Sequence, residues 1–332
     1  MTSSGGLRSL ARAGGVDFPA LFGARERTAL ELVDRRQRLA ELECDRDVSV
    51  VLMGSWGRSE LTSESDDDFV VLLDGPLRDG FRPTMQAVGE ILGGDGRAPG
   101  PEAMFGKPVA ATDLRENIGL DADSNRNLSL RMLLLLESVS ACNDEAWAAA
   151  RQACLDGYMD TEVKPYRPPR FLLNDVIRYW RTIAVDFEAK HRSRLGDGWG
   201  LRNAKLRLSR KLLFSSGLLP VLECHAVDAS EIPGFLHERF DLVPADRVAE
   251  AFLAYDAVEP GIRVFRAYDD FVERLNDGSF RAELKALSLD DADRSAAFRM
   301  VRDLGREFQA GLLSLLFDTP ELRPLVREFA IF

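Results

Sequence analysis

The chain has 332 residues with a formal net charge of −11, and 45% of the residues are hydrophobic. This length is comfortable for two domains, and the composition is ordinary for a globular protein. The acidic balance argues against broad, nonspecific affinity for nucleic acid, although a local basic surface could still bind RNA.

The cysteines and the apolar runs indicate which kinds of protein this chain is not expected to be. The 4 cysteines are scattered without a Cys-x-x-Cys pair, so neither a disulfide framework nor structural zinc is expected. The N-terminus lacks the apolar stretch of a secretory signal, and the longest apolar run, Met132–Leu136, is far too short to span a bilayer. We therefore expect a cytoplasmic protein with no membrane partner.

The N-terminal part of the chain changes character near Pro19. Residues 1–18 are expected to be flexible, because Met1–Gly15 is rich in Ser, Gly and Arg. Pro19–Cys44 mixes apolar residues with dense charge, which predicts one amphipathic helix with a solvated charged face.

Val48–Leu73 is the most informative stretch. An apolar run that begins at Val48 enters a Gly54-Ser55 turn, and a second apolar run, Phe69–Leu73, follows three consecutive aspartates. Short apolar runs bounded by turn residues predict two buried strands.

The residues between these strands indicate adjacent binding sites for an anion and a cation. Gly54 permits a backbone path that brings main-chain N–H groups close to an anion, and Ser55 adds a hydroxyl. Asp66 and Asp68 are two residues apart, so their side chains could converge on a cation while Asp67 points away, to a supporting or solvent-exposed position. Because Mg²⁺ prefers one or two carboxylates plus substrate phosphates, we predict a site for a nucleoside triphosphate with Mg²⁺ or Mn²⁺.

The full pattern has a family resemblance. Gly54-Ser55, Gly57-Arg58, Glu60-Leu61-Thr62 and Ser65-Asp66-x-Asp68 resemble the nucleotidyltransferase signature of the DNA polymerase β superfamily. The pattern is most similar to the branch that contains the GlnD-type PII-uridylyltransferases and their stand-alone bacterial relatives. The resemblance is strong over residues 48–73 and extends to the remainder only by architecture.

The resemblance carries expectations about fold and site. It implies an α+β (α/β) nucleotidyltransferase domain with a mixed sheet flanked by helices, residues 19–160, followed by an all-α helical bundle, residues 161–332. It implies that Gly54 and Ser55 contact the triphosphate, with Arg58 beside them. It also implies that Asp66 and Asp68 are catalytic metal ligands.

A third carboxylate lies on a later strand in that superfamily. Pro108–Asp113 reads as a short strand, so Asp113 is the candidate for a third catalytic metal ligand. The alternative is that Asp113 caps a helix beginning at Leu114, since Asp is a favoured N-cap residue. The reserve candidates are Glu102, Glu116 and Asp121.

Apolar periodicity predicts helices over much of the remaining chain. The predicted helices are Phe81–Leu92, Leu128–Ser138, Asp144–Asp160, Phe171–Arg192, Leu201–Phe214, Ala245–Ala257, Gly261–Asn276 and Asp290–Leu316. A Pro-rich connector at residues 161–170 marks the predicted domain boundary. Asn125, Asn127 and Arg131 are possible nucleotide or substrate contacts, although a charge within an apolar helix is more simply structural.

A basic region follows the predicted boundary. Residues 160–215 contain 13 Lys and Arg against 6 Asp and Glu. Lys205 and Ser209 are four residues apart and would share one face of the predicted helix Leu201–Phe214. Several nucleotidyltransferase families supply a Lys and a Ser from a helical domain to the β- and γ-phosphates, and this pair resembles that arrangement. The alternative is that these residues are surface charges on an amphipathic helix.

These features predict an enzyme that moves a nucleoside monophosphate from a nucleoside triphosphate to an acceptor hydroxyl and releases pyrophosphate. A protein side chain is the favoured acceptor, a tRNA 3′ end as in nucleotidyltransferase toxins comes second, and a small molecule third. A non-catalytic nucleotide-sensing regulatory module is the alternative from another class. The 3 scattered histidines do not suggest the phosphohydrolase domain of relatives with uridylyl-removing activity.

Overall fold

The computed structural model describes residues 5–42, 45–77, 82–93, 104–159, 163–193 and 198–330. Within these residues the chain is α+β, mainly helical with one mixed four-stranded sheet. It divides into two compact units. Unit 1 comprises Met1–Gly23, Val176–His225 and Pro244–Phe332, and unit 2 comprises Ala24–Asp175 and Ala226–Val243. These units differ from the predicted division at residue 160, because each one draws on separated parts of the chain.

The sheet belongs to unit 2. Its strands are β1 (Val48–Met53), β2 (Phe69–Leu73), β3 (Pro108–Ala110) and β4 (Ser138–Cys142), in the spatial order β3-β2-β1-β4. β1 pairs antiparallel with both β2 and β4, whereas β2 and β3 are parallel.

The helices run through both units. In chain order they are α1 (Gly6–Gly14), α2 (Pro19–Leu39), α3 (Arg82–Gly93), α4 (Ala111–Arg115), α5 (Asn125–Leu136), α6 (Asp144–Met159), α7 (Arg170–Ser193), α8 (Trp199–Arg207), α9 (Ser209–Glu223), α10 (Ile232–Asp241), α11 (Pro244–Ala254), α12 (Val258–Asn276), α13 (Gly278–Ala286), α14 (Ala296–Leu313) and α15 (Leu322–Leu325). A 3-10 turn at Cys224–Ala226 follows α9, and π-helical turns at Ser314–Asp318 and Val326–Ala330 flank α15. None of the helices described is long and apolar enough to cross a membrane.

The two predicted strands are confirmed as β1 and β2, and both are buried at every residue. Val50 and Leu52 of β1 join Val71 of β2 in an apolar core that also contains Val88 and Leu92 of α3. Strands covered on both faces explain why their sequences read as continuous apolar runs instead of alternating ones.

β4 is a strand that the sequence did not predict. The helical pattern was expected to continue to Ser138, but α5 ends at Leu136 and the chain turns into the sheet. The Ser49 hydroxyl of β1 donates a hydrogen bond of 2.7 Å to the Cys142 carbonyl of β4. β4 carries the sequence Ser-Val-Ser-Ala-Cys, whose small side chains give little strand signal of their own.

The flexible N-terminus expected from composition is wrong for the described residues, because Gly6–Gly14 forms α1 in unit 1. Leu7 and Leu10 are fully buried on one face of this helix. The Leu7 N–H donates a hydrogen bond of 2.8 Å to Asp246 Oδ1, which satisfies one of the unpaired N–H groups at the start of the helix. The Ser, Gly and Arg content concealed this apolar face.

The predicted helix Leu201–Phe214 is broken into α8 and α9. Leu208 sits between them with φ −121° and ψ −80°, outside helical geometry. α10 and α13 are further helices that the sequence did not predict.

Candidate functional site

A tight turn follows β1 and begins at Gly54. Gly54 has a φ of +68°, a left-handed conformation that is costly for residues with a Cβ. The Arg58 N–H donates to the Gly54 carbonyl at 3.1 Å, and the Glu60 N–H donates to the Ser55 carbonyl at 2.9 Å. Residues 54–60, called the Gly54 turn below, are therefore fixed by their own backbone.

The turn lies next to Asp68. The antiparallel pairing of β1 with β2 continues one step past the strands, because the Met53 N–H donates to the Asp68 carbonyl at 2.8 Å. A Cβ placed on Gly54 would lie 3.4 Å from Asp68 Oδ2. Gly54 and Asp68, predicted as phosphate and metal contacts, thus come together at one end of the β1–β2 pair.

The three consecutive aspartates alternate in burial. Asp66 is exposed and Asp68 is half-buried, whereas Asp67 is completely buried. The predicted orientation of Asp67 away from its two neighbours fits this pattern, but its carboxylate is not in solvent. Asp67 Oδ2 accepts a hydrogen bond of 2.9 Å from Nε of Arg35 on α2.

Arg35 is the residue of this site that sequence reasoning missed. Its side chain is only 2% exposed, and its guanidinium lies 5.7 Å from the ring centroid of Trp56 in the Gly54 turn. Burial opposes its charge, but the hydrogen bond and charge of Asp67, with Asp34 and Glu31, raise the pKa of Arg35 above its usual value. Arg35 therefore contacts both the Gly54 turn and the aspartate segment. Its signal was hidden in the charge run of α2, which was interpreted as a solvated face.

Arg58 has a different environment from the one predicted. Its Nε donates to Glu60 Oε2 at 2.9 Å, and its Nη1 pairs with Glu137 at the end of α5. The side chain is 10% exposed. Two carboxylates therefore compensate its charge, and Arg58 ties the Gly54 turn to α5 instead of presenting a cation to a phosphate.

Asp113 does not lie on a strand. β3 ends at Ala110 and α4 begins at Ala111, so Asp113 is an exposed residue in the first turn of that helix. The alternative that it caps a helix beginning at Leu114 is also wrong, because the N-cap residue is Ala110. A short apolar run before an Asp fits both a strand end and a helix start, which is why the pattern could not place it.

The reserve carboxylates do not complete the set. Glu116 and Asp121 are exposed, and Glu102 lies outside the described residues. Within the ranges that the structure describes, no group of three or more His, Cys, Asp or Glu is placed to hold a metal ion. Of the predicted metal ligands, Asp68 is the one that the structure places against Gly54.

Arg131 is structural. It is fully buried on α5, where its Nη2 pairs with Asp123 at 2.9 Å and with Asp175 at 2.6 Å. Its Nε donates to the Tyr158 hydroxyl at 2.6 Å. Burial raises the pKa of Tyr158 well above its usual value, so this hydroxyl stays protonated. Buried charges need such partners, and Arg131 has no atom to spare for a nucleotide.

The region around Lys205 and Ser209 also differs from expectation. Lys205 lies in α8 and Ser209 begins α9, so the two do not share the face of one continuous helix. Ser209 is 5% exposed, which removes it from ready contact with a phosphate. Both residues belong to unit 1, whereas the Gly54 turn and the aspartates belong to unit 2.

Neither a scan against protein-family models nor a search of curated proteins gave a match.

The Gly54 turn and Asp68 define the candidate site. Gly54 presents backbone without a side chain at the point where Asp68 Oδ2 approaches, 3.4 Å from the position that a Cβ would take. The Ser55 hydroxyl is partly exposed and forms no hydrogen bond within the described chain. Asp68 lies beside this turn and Asp66 lies two residues before Asp68 in the chain, and carboxylates of this kind suit Mg²⁺ together with a phosphate ligand.

Proposed function

We propose that the chain is a nucleotidyltransferase that uses Mg²⁺ or Mn²⁺ to transfer a nucleoside monophosphate from a nucleoside triphosphate to an acceptor hydroxyl. The observation that carries this proposal is the approach of Asp68 Oδ2 to Gly54, within 3.4 Å of the position of a Cβ. A metal-binding carboxylate and a phosphate-binding turn at such short range suit a metal–triphosphate complex. The DNA polymerase β-type nucleotidyltransferase fold is part of the same proposal.

Each residue has a separate task. Gly54 lets a phosphate approach the backbone, and Ser55 donates a hydrogen bond to a phosphate oxygen. Asp66 and Asp68 hold the cation. When bound, Mg²⁺ supplies the positive charge that offsets the charge of the phosphates. Arg35 keeps Asp67, and with it the aspartate segment, in a fixed position.

The reaction is a substitution at phosphorus. The acceptor oxygen bonds to the α-phosphorus and loses its proton, the bond from that phosphorus to the bridging oxygen breaks, and pyrophosphate leaves. A protein side-chain hydroxyl is the favoured acceptor, followed by a tRNA 3′ end and then a small molecule. The net charge of −11 weighs against RNA as the acceptor.

A non-catalytic nucleotide sensor is the second candidate. It is favoured by the absence of a third metal-binding carboxylate among the residues that the structure describes. A sensor of this kind would bind the triphosphate at the Gly54 turn and release no pyrophosphate with any acceptor.

Binding of Mn²⁺ in the presence of a non-hydrolysable ATP analogue, followed by electron paramagnetic resonance, tests the site itself. We expect Asp68→Asn to weaken nucleotide-dependent Mn²⁺ binding by at least about tenfold, because one charged ligand is lost. Asp74→Asn is the matched control, since Asp74 is exposed and follows the opposite end of β2. No Mn²⁺ binding by the unmodified chain, or equal losses in both variants, would overturn the assignment of the site.

A further inference from the structure

Four cations meet in unit 1 where α8 and α9 join beside α14. Arg207 ends α8 and Lys211 lies in the first turn of α9. Arg302 and Arg306 are four residues apart on α14, on one face of that helix. A Cβ placed on Gly305 would lie 3.4 Å from Arg207 Cβ, so α14 approaches Arg207 closely. These four residues are called the α14 cation cluster below.

The cluster has fewer carboxylates than cations. Arg302 pairs with the exposed Asp293 at 2.9 Å, and Arg306 pairs with the exposed Asp303 at 3.0 Å. Arg207 Nε instead donates to the amide oxygen of Asn203 at 2.6 Å, and Lys211 Nζ donates to that of Gln309 at 2.8 Å.

Neutral amide oxygens orient these two cations without cancelling their charge. In the part of the chain that the structure describes, neither Arg207 nor Lys211 pairs with a carboxylate. Both side chains are half-buried, so water screens their charges incompletely. Arg207 and Lys211 are therefore held in position but keep their positive charge, and both can still donate hydrogen bonds to an anion that binds there.

Burial and the crowding of positive charges lower the pKa of both Arg207 and Lys211. Burial lowers the pKa of Arg207, and the charges of Arg302 and Arg306 lower it further. Burial, followed by the charge of Arg207, lowers the pKa of Lys211 to about 8. The cluster is therefore costly to keep charged unless an anion is present.

We propose that the α14 cation cluster is a binding site for the phosphate groups of a small molecule. The site shares no residue with the Gly54 turn or with Asp66 and Asp68, so it stands independently of the proposed function. Guanidinium forks match phosphate oxygens bidentately, and a Lys supplies a point charge beside them. A multivalent phosphate, such as pyrophosphate or the phosphate tail of a nucleotide, offsets the several positive charges better than a carboxylate does.

Isothermal titration of the full chain with pyrophosphate and with inorganic phosphate tests this site. The titrations are run at constant ionic strength with EDTA, which removes metal-dependent binding elsewhere. We expect pyrophosphate to bind more tightly than phosphate. We also expect Arg207→Gln and Lys211→Met each to weaken pyrophosphate binding by at least about tenfold. A further titration with ADP distinguishes a nucleotide tail from free pyrophosphate.

Matched controls separate a built site from general charge. Arg299→Gln on α14 and Lys285→Met on α13 each remove one exposed cation outside the cluster, and we expect them to leave the affinity unchanged. Thermal unfolding checks that the variants fold: pyrophosphate should raise the melting temperature of the unmodified chain and not that of Lys211→Met. The proposal is overturned by an absence of pyrophosphate binding or by equal losses in the controls.

Discussion

Single buried charges fix the candidate site in place. Asp67 is completely buried between two aspartates that reach solvent, and Arg35 supplies the charge that makes this burial possible. Arg35 also lies against Trp56 of the Gly54 turn. One arginine thus connects the two segments on which the proposed function depends, so its loss should affect both stability and ligand binding.

Removing Arg35 alone should be worse than removing the whole ion pair. Arg35→Met leaves a buried carboxylate without its guanidinium, and we expect a loss of about 3–5 kcal/mol of unfolding free energy. The double variant Arg35→Met/Asp67→Leu should recover part of that loss, because no unpaired charge remains. Urea denaturation of the two single variants and the double variant measures the coupling. Strictly additive losses would show that the pair does not act as a unit.

Asp269 should make the stability of the protein fall as pH rises. Burial raises the pKa of Asp269 to about 6, although the N–H of Leu21 donates to its Oδ1 at 2.8 Å. The unfolded chain then loses this proton at lower pH than the folded chain, so stability should fall as pH rises from about 4 to about 6. Asp269→Asn keeps an oxygen acceptor for Leu21 and should remove this decline, which amounts to roughly 3 kcal/mol at most.

Denaturant unfolding at several pH values between about 4 and 7 measures this slope. Glu259→Gln is the control, since Glu259 is an exposed carboxylate elsewhere on α12. An Asp269→Asn variant with the same pH profile as the unmodified chain would contradict the assignment.

Between elements, two glycines of the Gly54 turn serve different purposes. A Cβ on Gly57 would lie 2.1 Å from the Glu137 carbonyl oxygen, so the backbone of the turn packs directly on the end of α5. A Cβ on Gly54 would meet no heavy atom closer than 3.4 Å, but Gly54 has a φ of +68°. Gly57 is needed for packing, whereas Gly54 is needed for the path of the backbone at the ligand.

Alanine substitutions should separate these purposes. We expect Gly57→Ala to cost roughly 3 kcal/mol or more, because neither backbone can move out of the overlap. Gly54→Ala should cost about 1–2 kcal/mol and still fold, while losing metal–nucleotide binding. Thermal unfolding and nucleotide titration of both variants measure the two effects. A folded Gly54→Ala variant with full nucleotide affinity would argue against phosphate binding at this turn.

The elements also show what the sequence could predict. β1, β2 and the turn between them were readable because a local pattern of apolar runs, Gly54 and the aspartates specifies them. β4 was missed because its mostly small side chains give little strand signal of their own, and the strand is held in the sheet by its pairing with β1.

The predictions from sequence were wrong for residues whose environment depends on partners far away in the chain. In sequence Arg35 looks like an ordinary surface charge and Arg58 like a phosphate contact, and only the fold brings Asp67 and Glu137 to them. Ser209 was predicted to share a helix face with Lys205 because the break at Leu208 has no recognisable pattern in a sequence that otherwise looks helical. At such positions tertiary contacts, and not local propensity, determine where the side chain lies and what it binds.

At the scale of the whole molecule, each unit is assembled from separate chain segments. Unit 2 needs Asp175 from α7 for the buried Arg131, and Asp241 from α10 for the buried Arg151. A fragment that stops near the predicted boundary therefore lacks one of the two carboxylates that pair with Arg131 and the carboxylate that pairs with Arg151.

We expect residues 24–160 expressed alone to fail to unfold cooperatively, because removing one partner of a buried ion pair costs several kcal/mol, and the fragment lacks Asp175 and Asp241. Circular dichroism during thermal unfolding, compared with the full chain, measures this. A sharp, reversible transition in the fragment would show that unit 2 does not depend on α7 and α10.

The proposal that the Gly54 turn and its aspartates transfer nucleotides is tested most directly by labelling. Purified protein is incubated with Mg²⁺, cell lysate and each α-³²P-labelled nucleoside triphosphate, beside the variants Asp66→Asn/Asp68→Asn and Asp74→Asn. We expect label on a protein band with the unmodified chain and with Asp74→Asn, and none with the double variant. Label that persists without Asp66 and Asp68, or no label with any triphosphate despite measurable nucleotide binding, would contradict transfer at this site.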